Sequence, residues 1–476
     1  MSATLVRARA DAPRRVALEV MLAVQEDGAY ANVLLPSLVR RHGLAGRDAA
    51  FATALTYGAI RWQGLWQAII DSCLHRPDMV IEPGVRAVLL LGVQQLLDMR
   101  VPAHAAVDSS CALARELRRF GDRGRGGSPA ARAGFVNAVL RKVAVRDVAA
   151  WIEHLHLHAD LPTRWSHPRW IVDGLRQALA AEGLGTDGEL EALLAADNEP
   201  AVPTLAAVPG RLSPEELRAV PGMTAGRWSP WAALMSQGTP EESSLVRSGR
   251  ARVQDEGSQL VVLALLRAPL GRSADDGLES AFIDKAGVDD AWLDMCAGPG
   301  GKAALMAGLA SERGAAFLAV EQHDARARMV EDAVRGTGGQ VMVGDARLLP
   351  WGDRTFSRVL VDAPCTGLGA LRRRPDARWR RTLADVASLA SQQRELLDVA
   401  IASTRVGGVI AYATCSPLVA ETSAIVHAAV SECDVEILDA PTLLPEVPHC
   451  ARGPFVQLWP QRHGTDAMFV ALLRRT

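Results

Sequence analysis

Apolar residues recur at every third or fourth position along the first 142 residues, and this spacing predicts a helical region. Prolines interrupt the pattern and mark the expected helix boundaries. The predicted helices span residues 14–29, 49–72, 85–99, 105–120 and 135–143, and the boundary residues are Pro36, Pro77, Pro83 and Pro102. Residues 121–129, GDRGRGGSP, are predicted to form a flexible basic loop.

The pattern changes after residue 254, where short apolar runs alternate with amphipathic stretches. The runs predict strands over residues 292–295, 316–320, 341–343, 359–361 and 409–413, and the stretches predict helices over residues 303–309, 325–334, 383–404 and 422–430. This alternation predicts an α/β domain with a doubly wound, mostly parallel sheet. The acidic stretch 271–290 is predicted to be a surface insertion.

The intervening residues 150–250 carry prolines between short segments, which predicts a small mixed α+β module or linker. We therefore divide the chain into residues 1–145, 146–250 and 251–476. Four histidines cluster at the start of the middle segment, at His154, His156, His158 and His167. They alternate with apolar residues and have no cysteine or paired carboxylate at zinc-ligand spacing, so we expect no metal site.

Composition indicates a globular protein and argues against membrane-spanning and disulfide-rich classes. The chain has 476 residues, 49% hydrophobic and 22% charged, which is typical of a globular multidomain protein. Its apolar stretches are shorter than the roughly 20 residues that a membrane-spanning helix needs, and residues 1–20 show no signal-peptide core. Seven cysteines are too few for a disulfide scaffold, so we expect a cytoplasmic protein in a reducing compartment.

Charge is unevenly distributed along the chain. Residues 1–150 hold 20 Lys and Arg against 13 Asp and Glu, whereas residues 151–476 hold 32 against 41. A basic N-terminal region favours contact with a polyanion, although an uneven surface charge alone would give the same count. Lysine occurs only three times, so the high arginine content reflects a compositional bias and is weak evidence for nucleic-acid binding.

The first motif with chemical meaning is the stretch 293–302, LDMCAGPGGK. An apolar strand enters a Gly-rich turn that opens a helix, and such turns bring backbone N–H groups close to a ligand. The spacing fits neither a Walker loop, since Lys302 is followed by Ala303, nor GxGxxG. The turn alone is therefore a weak indication of a nucleotide-like cofactor.

Acidic residues follow the next three predicted strands, at Glu321, Asp345 and Asp362. Ligands of open α/β sheets bind at the carboxyl ends of the strands. An acid after the second strand suits ribose hydroxyls, and an acid after the third suits an adenine amino group. With no Walker lysine, this combination favours S-adenosyl-L-methionine over ATP, although any single acid could serve as a helix cap.

Two cysteines lie just past predicted strands, Cys365 in DAPC and Cys415 in TCS, and both are nucleophile candidates. C5 of a pyrimidine is a poor nucleophile, and addition of a thiolate to C6 makes it able to accept a methyl group. Asp362 could hydrogen bond the N3/amino edge of the base and stabilise the adduct. Two thiols indicate that one attacks and one assists release, and the residues alone leave their assignment open.

The motifs together resemble the RsmB/Sun/Fmu family of bacterial ribosomal RNA cytosine-C5 methyltransferases. The resemblance extends nearly end to end, through the stretches VQDEGSQL (253–260), LDMCAGPGGK, GDA (344–346), DAPCTGLG (362–369), RRRPDARW (372–379), TCS, GFVNAVLR (134–141) and HPRW (167–170). It implies an all-α NusB-like N-terminal domain, a small α+β RNA-binding module and a Rossmann-like class I methyltransferase domain. It also implies ribosomal RNA as the partner. We expect neither a membrane nor a metal as partner, and we favour a monomer.

The resemblance further implies that Cys415 is the nucleophile and that Cys365 assists product release. In DNA cytosine methylases the cysteine of the PC pair attacks instead. The implied cofactor contacts are Cys296, Ala297, Gly298, Pro299, Gly300, Gly301, Lys302, Glu321, Arg326, Asp345 and Asp362, although Arg326 would equally suit a surface helix.

This chain departs from the family pattern at a few positions. Gly298 stands where alanine is usual and is expected to be tolerated, Ala303 replaces a common threonine, and residues 466–469 are DAMF instead of DGFF. None of these changes removes a catalytic group. Two alternatives remain: a transfer RNA cytosine-C5 methyltransferase, and a non-catalytic RNA-binding or ribosome assembly factor.

Overall fold

The computed structural model describes residues 10–76, 79–120, 127–271, 289–352 and 355–476. The boundary Pro77, most of the predicted basic loop 121–129 and most of the acidic insertion 271–290 lie outside these residues. The chain divides into two compact units: Met1–Asp173 with Arg373–Arg380, and Gly174–Arg372 with Arg381–Thr476. The division into three domains remains a prediction.

The first unit is built from helices, as predicted. They are α1 (Ala12–Glu26), α2 (Ala31–Arg41), α3 (Gly46–Arg61), α4 (Gln63–Ser72), α5 (Pro83–Val93), α6 (Ala103–Glu116), α7 (Pro129–Val143), α8 (Val148–His154) and α9 (Leu161–Arg164). Two N-terminal caps fix helix starts: Asp11 accepts the N–H of Arg14, and Ser128 accepts that of Ala131. The core includes Leu18, Leu55 and Trp66.

Two predictions for this unit are wrong. Pro36 does not end a helix but lies inside α2, whose buried Ala31, Leu35 and Leu38 have helical spacing. Because proline has no N–H, α2 lacks one backbone hydrogen bond. Burial of the apolar face of α2 outweighs this loss. The predicted helix 49–72 is two helices that meet at Trp62, where φ is −96° and ψ is 12°.

The second unit contains a small antiparallel sheet that agrees with the predicted α+β module. The elements are α10 (Arg169–Ala180), α11 (Asp187–Ala196), β1 (Thr204–Ala207), α12 (Pro214–Arg218), β2 (Met223–Ala225), β3 (Ala232–Met235), α13 (Ser244–Arg247) and β4 (Ala251–Val253). The strand order is β2-β3-β1-β4, and the boundary between the two units falls within α10.

A second, larger sheet follows. Its strands are β5 (Ala291–Asp294), β6 (Ala316–Glu321), β7 (Gln340–Val343), β8 (Phe356–Asp362), β9 (Thr404–Thr414), β10 (Val435–Leu438), β11 (Ala451–Arg452), β12 (Phe455–Gln457) and β13 (Phe469–Arg475). The helices that accompany this sheet are α14 (Glu256–Arg267), α15 (Gly301–Arg313), α16 (Asp324–Val334), α18 (Leu383–Ser403), α19 (Ser423–Glu432) and α20 (Pro460–His463). The short helix α17 (Ala377–Arg380) belongs to the first unit. All five predicted strands are present.

The large sheet is parallel where the site lies and antiparallel beyond it. Its order is β11-β12-β13-β9-β8-β5-β6-β7, with β10 paired to β13. Strands β7, β6, β5, β8 and β9 are parallel neighbours, and β13 runs antiparallel to β9. One apolar cluster includes α14 and α15 and another includes α18 and α19, so the sheet is doubly wound. The carboxyl ends of the five parallel strands therefore form one edge.

Candidate functional site

The Gly-rich stretch connects β5 to α15 at this edge of the sheet. Gly300 has a φ of 104°, and a Cβ there would lie 2.7 Å from the Cβ of Ala333, so the position favours glycine. The turn directs backbone N–H groups and the start of α15 toward a bound ligand. The turn and the first residues of α15 contain Cys296, Ala297, Gly298, Pro299, Gly300, Gly301 and Lys302.

The acid that ends β6 is held beside the turn by an arginine. Glu321 is 4% exposed and accepts the backbone N–H of His323 at 3.0 Å. Nε of Arg326 lies 3.5 Å from Oε2 of Glu321, and its guanidinium donates to the carbonyl oxygen of Gly298. A Cβ at Gly298 would lie only 2.0 Å from Oε2 of Glu321. Glycine at this position therefore makes room for this ion pair.

The acid after β7 is bonded within its own loop. Nη2 of Arg347 lies 2.6 Å from Oδ2 of Asp345, and hydrogen bonds from Arg347 hold the pKa of Asp345 below its ordinary value. The same guanidinium contacts Oε2 of Glu395 at 2.9 Å. Asp345 is thus an ionised acceptor at the sheet edge, and a ligand amino group there must share it with Arg347.

The lysine of the turn pairs with the acid that ends β8. Nζ of Lys302 lies 2.7 Å from Oδ2 of Asp362 and 3.4 Å from Oγ of Ser258. Burial lowers the pKa of Lys302, but attraction to Asp362, together with Cys415 and Asp294, outweighs burial and leaves that pKa above its ordinary value. Lys302 therefore remains a cation and anchors the carboxylate of Asp362.

Beneath this pair lies a carboxyl group that the sequence did not single out. Asp294, at the end of β5, is fully buried, and its Oδ1 accepts the N–H of Cys296 at 3.4 Å. Burial, with the nearby charge of Asp362, raises the pKa of Asp294 to about 7. Burial also raises the pKa of the Cys296 thiol well above its usual range, with Asp294 contributing. Cys296 is therefore an uncharged thiol, unsuited to act as a nucleophile.

The two candidate nucleophiles face each other. Sγ of Cys365 lies 3.4 Å from Sγ of Cys415, within hydrogen-bonding distance for two thiols. The hydrogen bond with Cys415 and burial, with the charges of Glu421 and Asp362, raise the pKa of Cys365 well above its usual range. Lys302 in turn is attracted to negative charge on Cys415. The surroundings therefore disfavour the thiolate of Cys365, whereas Lys302 attracts negative charge on Cys415.

Sequence reasoning missed two buried polar residues at this edge. Gln254 is 6% exposed, and within the described residues neither amide atom has a hydrogen-bond partner. Its Cδ would lie 3.5 Å from a Cβ at Gly301, so the amide faces the cofactor turn. Glu421 is fully buried behind the cysteine loops. The motif VQDEGSQL was a signal for Gln254, whereas a glutamate six residues after a cysteine gives no such signal.

The residues at this edge fit S-adenosylmethionine chemically. Carboxylates at three successive strand ends can accept from ribose hydroxyls and amino groups, and the unpartnered amide of Gln254 offers a donor and an acceptor. In the described part of the chain, no group of three or more histidine, cysteine or acidic residues is placed to hold a metal ion. No helix among the described residues is long and apolar enough to cross a bilayer.

Comparison with known proteins adds independent information. A family model described as 16S rRNA methyltransferase RsmB/F matches residues 283–474, and the NusB family model matches residues 11–145. A putative methyltransferase of Mycobacterium tuberculosis is 48% identical over 473 residues, with 98% of this chain and 97% of the relative covered. Ribosomal RNA small subunit methyltransferase B of Pseudomonas syringae pv. tomato is 32% identical, with 87% and 86% covered. The crystal structure of PH0851 has the same fold, with a TM-score of 0.73, 19% identity, and 97% and 99% covered.

Proposed function

The chain belongs to the RsmB/F family of 16S rRNA methyltransferases, and from that premise we propose that it methylates C5 of a cytidine in small-subunit ribosomal RNA. Family membership gives the reaction class, the S-adenosylmethionine-dependent methylation of RNA. The position on the base and the covalent route are our inference from the residues. The observation that carries this inference is the pair of thiols 3.4 Å apart beside the cofactor turn.

We assign the attack to Cys415. Lys302 attracts negative charge on Cys415, whereas the carboxylates of Glu421 and Asp362 repel it from Cys365. A thiolate, rather than a thiol, is the nucleophile, so the cysteine whose negative charge the cation attracts is the better candidate. The same choice of Cys415 as nucleophile is implied by the family resemblance, whereas the sequence chemistry alone left open which cysteine attacks.

The reaction then proceeds through a covalent adduct. The Cys415 thiolate bonds to C6, and the electrons of the C5–C6 double bond become available at C5. When bound, S-adenosylmethionine would supply an electrophilic methyl group for that carbon, and breaking of its sulfur–methyl bond would leave S-adenosylhomocysteine. The C5 proton passes to water, the C5–C6 double bond re-forms, and the bond between sulfur and C6 breaks. Cys365, as a thiol, donates a hydrogen bond to the departing sulfur, while Asp362 contacts the N3/amino edge.

We assign the cofactor contacts to the turn 296–302 and to the acids along the edge. Glu321 would accept from the ribose hydroxyls with Arg326 holding it in place, and Asp345 would accept from the adenine amino group. The target cytidine must leave its stack, which costs least in a loop of the RNA. With such a substrate we propose a cytoplasmic location for the enzyme.

The decisive experiment measures methyl transfer from labelled S-adenosylmethionine to unmodified 16S rRNA, transfer RNA and DNA in parallel. Wild type is compared with Cys415→Ala, Cys365→Ala and the control Cys433→Ala, and denaturing gels detect covalent RNA. We expect label in ribosomal RNA, no label with Cys415→Ala, and trapped adduct with Cys365→Ala. The control should match wild type.

Other outcomes would change the assignment in definite ways. Label confined to transfer RNA would keep the chemistry and replace the substrate. Retention of RNA without any label would favour a binding or assembly factor. Adduct trapped by Cys415→Ala instead would reverse the roles of the two cysteines.

A further inference from the structure

A fully buried glutamate lies directly behind the two cysteine loops. Glu421 ends the short 3₁₀ turn Val419–Glu421, which precedes α19. It is 0% exposed. Glutamate is among the residues least often found fully buried, and it is tolerated there only when its oxygens are matched by donors.

The donors come from the loops that carry both cysteines. Oε1 of Glu421 accepts the backbone N–H of Thr366 at 2.8 Å and Nε2 of Gln393 at 3.1 Å. Oε2 accepts the hydroxyl of Thr366 at 2.5 Å and that of Ser416 at 2.6 Å. Thr366 and Ser416 immediately follow the two cysteines in sequence. A single carboxylate therefore joins the Cys365 loop to the Cys415 loop.

Neighbouring side chains fix the carboxylate in turn. Nε2 of Gln393 also donates to the carbonyl oxygen of Pro364 at 2.8 Å. The hydroxyl of Tyr412 is 2.8 Å from the backbone oxygen of Glu421 and 3.2 Å from Oε1 of Gln393. A buried network in which most members make more than one hydrogen bond is expected to be rigid.

We propose that Glu421 is a positioning residue for methyl transfer, whose carboxylate holds the two cysteine loops together and so sets the approach of the two sulfurs. The inference rests on the proposed function, in which Cys415 attacks and Cys365 assists release. Glu421 contacts Thr366 and Ser416 rather than the reacting atoms, so it acts through the loops.

The charge of Glu421 has a second consequence for the pair. It adds to the raised pKa of Cys365, after the larger effects of the hydrogen bond with Cys415 and of burial. A Cys365 that keeps its proton can donate to the sulfur of Cys415. The same carboxylate therefore favours both the geometry and the protonation state that the division of labour requires.

Two variants separate geometry from charge. Glu421→Gln keeps the shape, since its carbonyl can accept from Thr366 N–H and Gln393 while the two hydroxyls turn to accept from its amide. Glu421→Ala removes both the shape and the charge. Glu432→Gln, at an exposed position in α19, is the matched control.

The first measurement is the single-turnover rate of methyl transfer to unmodified 16S rRNA, together with the Kd for S-adenosylmethionine. We expect Glu421→Ala to slow transfer about 100-fold, the effect of displacing a reacting group by about 1 Å. The Kd should stay at the wild-type value, and Glu421→Gln should recover most of the rate.

The second measurement is the pH dependence of iodoacetamide alkylation at Cys365 and Cys415, followed by peptide mass spectrometry without RNA or cofactor. Removing the carboxylate should shift alkylation of Cys365 to lower pH in both variants, because a nearby negative charge disfavours the thiolate. The Glu432→Gln profile should match wild type.

Failure of the proposal for Glu421 can be told apart from failure of the proposed methyltransferase function. An unchanged transfer rate in Glu421→Ala, or an unchanged Cys365 profile in both variants, would overturn the proposal. If Glu421→Ala does not fold, Glu421→Gln decides through its alkylation profile. If wild type methylates no RNA, the proposed function fails, and the two alkylation profiles still test the link between Glu421 and the cysteines.

Discussion

The buried side chain of Asp294 makes the stability of the folded chain depend on pH. Its pKa is raised from 3.8 to about 7, chiefly by burial and then by Asp362. Between these values the folded chain holds a proton that the unfolded chain has released. The stability contributed by this group is therefore fully present below about pH 4 and is lost as pH rises through about 7.

We predict that Asp294→Asn removes this dependence, because the amide is neutral at every pH and keeps an acceptor for Cys296 N–H. The free energy of unfolding of the variant relative to wild type should rise between pH 4 and 7, by at most about 1.4 kcal/mol per pH unit. Urea unfolding across this range measures it. Asp434→Asn, an exposed exchange, is the control, and parallel curves for wild type and Asp294→Asn would contradict the prediction.

At the scale of elements, the site is largely predictable because it follows from topology. Parallel strands end at one edge, so acids placed after successive strands in the sequence converge there. Glu321, Asp345 and Asp362 all lie where this rule puts them. The partners of these acids are less predictable. Lys302 and Asp362, for example, are 60 positions apart in the sequence, so no local pattern predicts that they pair.

The break between α3 and α4 illustrates the limit of local patterns. The apolar spacing continues across Trp62, yet the helix ends there. Nε1 of Trp379 donates to the carbonyl oxygen of Ile60 at 2.7 Å, and Nη1 of Arg378 donates to that of Arg61 at 3.2 Å. These donors bond the terminal carbonyls of α3 from more than 300 positions away, and no window of local sequence contains them.

We predict that Arg378→Met and Trp379→Phe each destabilise the helical unit, since each removes a hydrogen bond to a buried carbonyl oxygen at the end of α3. The expected loss is about 1–3 kcal/mol in the free energy of unfolding. Amides near Trp62 should also exchange hydrogen faster. Exposed Arg374→Met is the control. Unaltered exchange at the start of α4 in both variants would show that the break persists without these donors.

For the whole molecule, the family comparison and the charge distribution point in the same direction. The NusB model matches residues 11–145, nearly the same span that carries the excess of positive charge. The remaining residues carry an excess of negative charge, so overall charge gives no attraction to RNA. RNA affinity must then come from local positive surface, and phosphate contacts from arginines are its expected source.

We predict that the salt dependence of RNA binding originates in the helical unit. Arg40 and Arg41 are exposed at the end of α2, and exchanging both for Gln should weaken binding of 16S rRNA at low salt. The logarithm of the RNA-binding constant decreases linearly with the logarithm of the salt concentration. For every phosphate that the variant no longer neutralises, the magnitude of this slope should decrease by about 0.7–0.9, measured between about 50 and 200 mM salt. A matched exchange of exposed Arg328 and Arg335, in the acidic part, should leave the slope unchanged. An equal reduction by both pairs would mean that attraction to RNA is spread over the surface instead of residing in the helical unit.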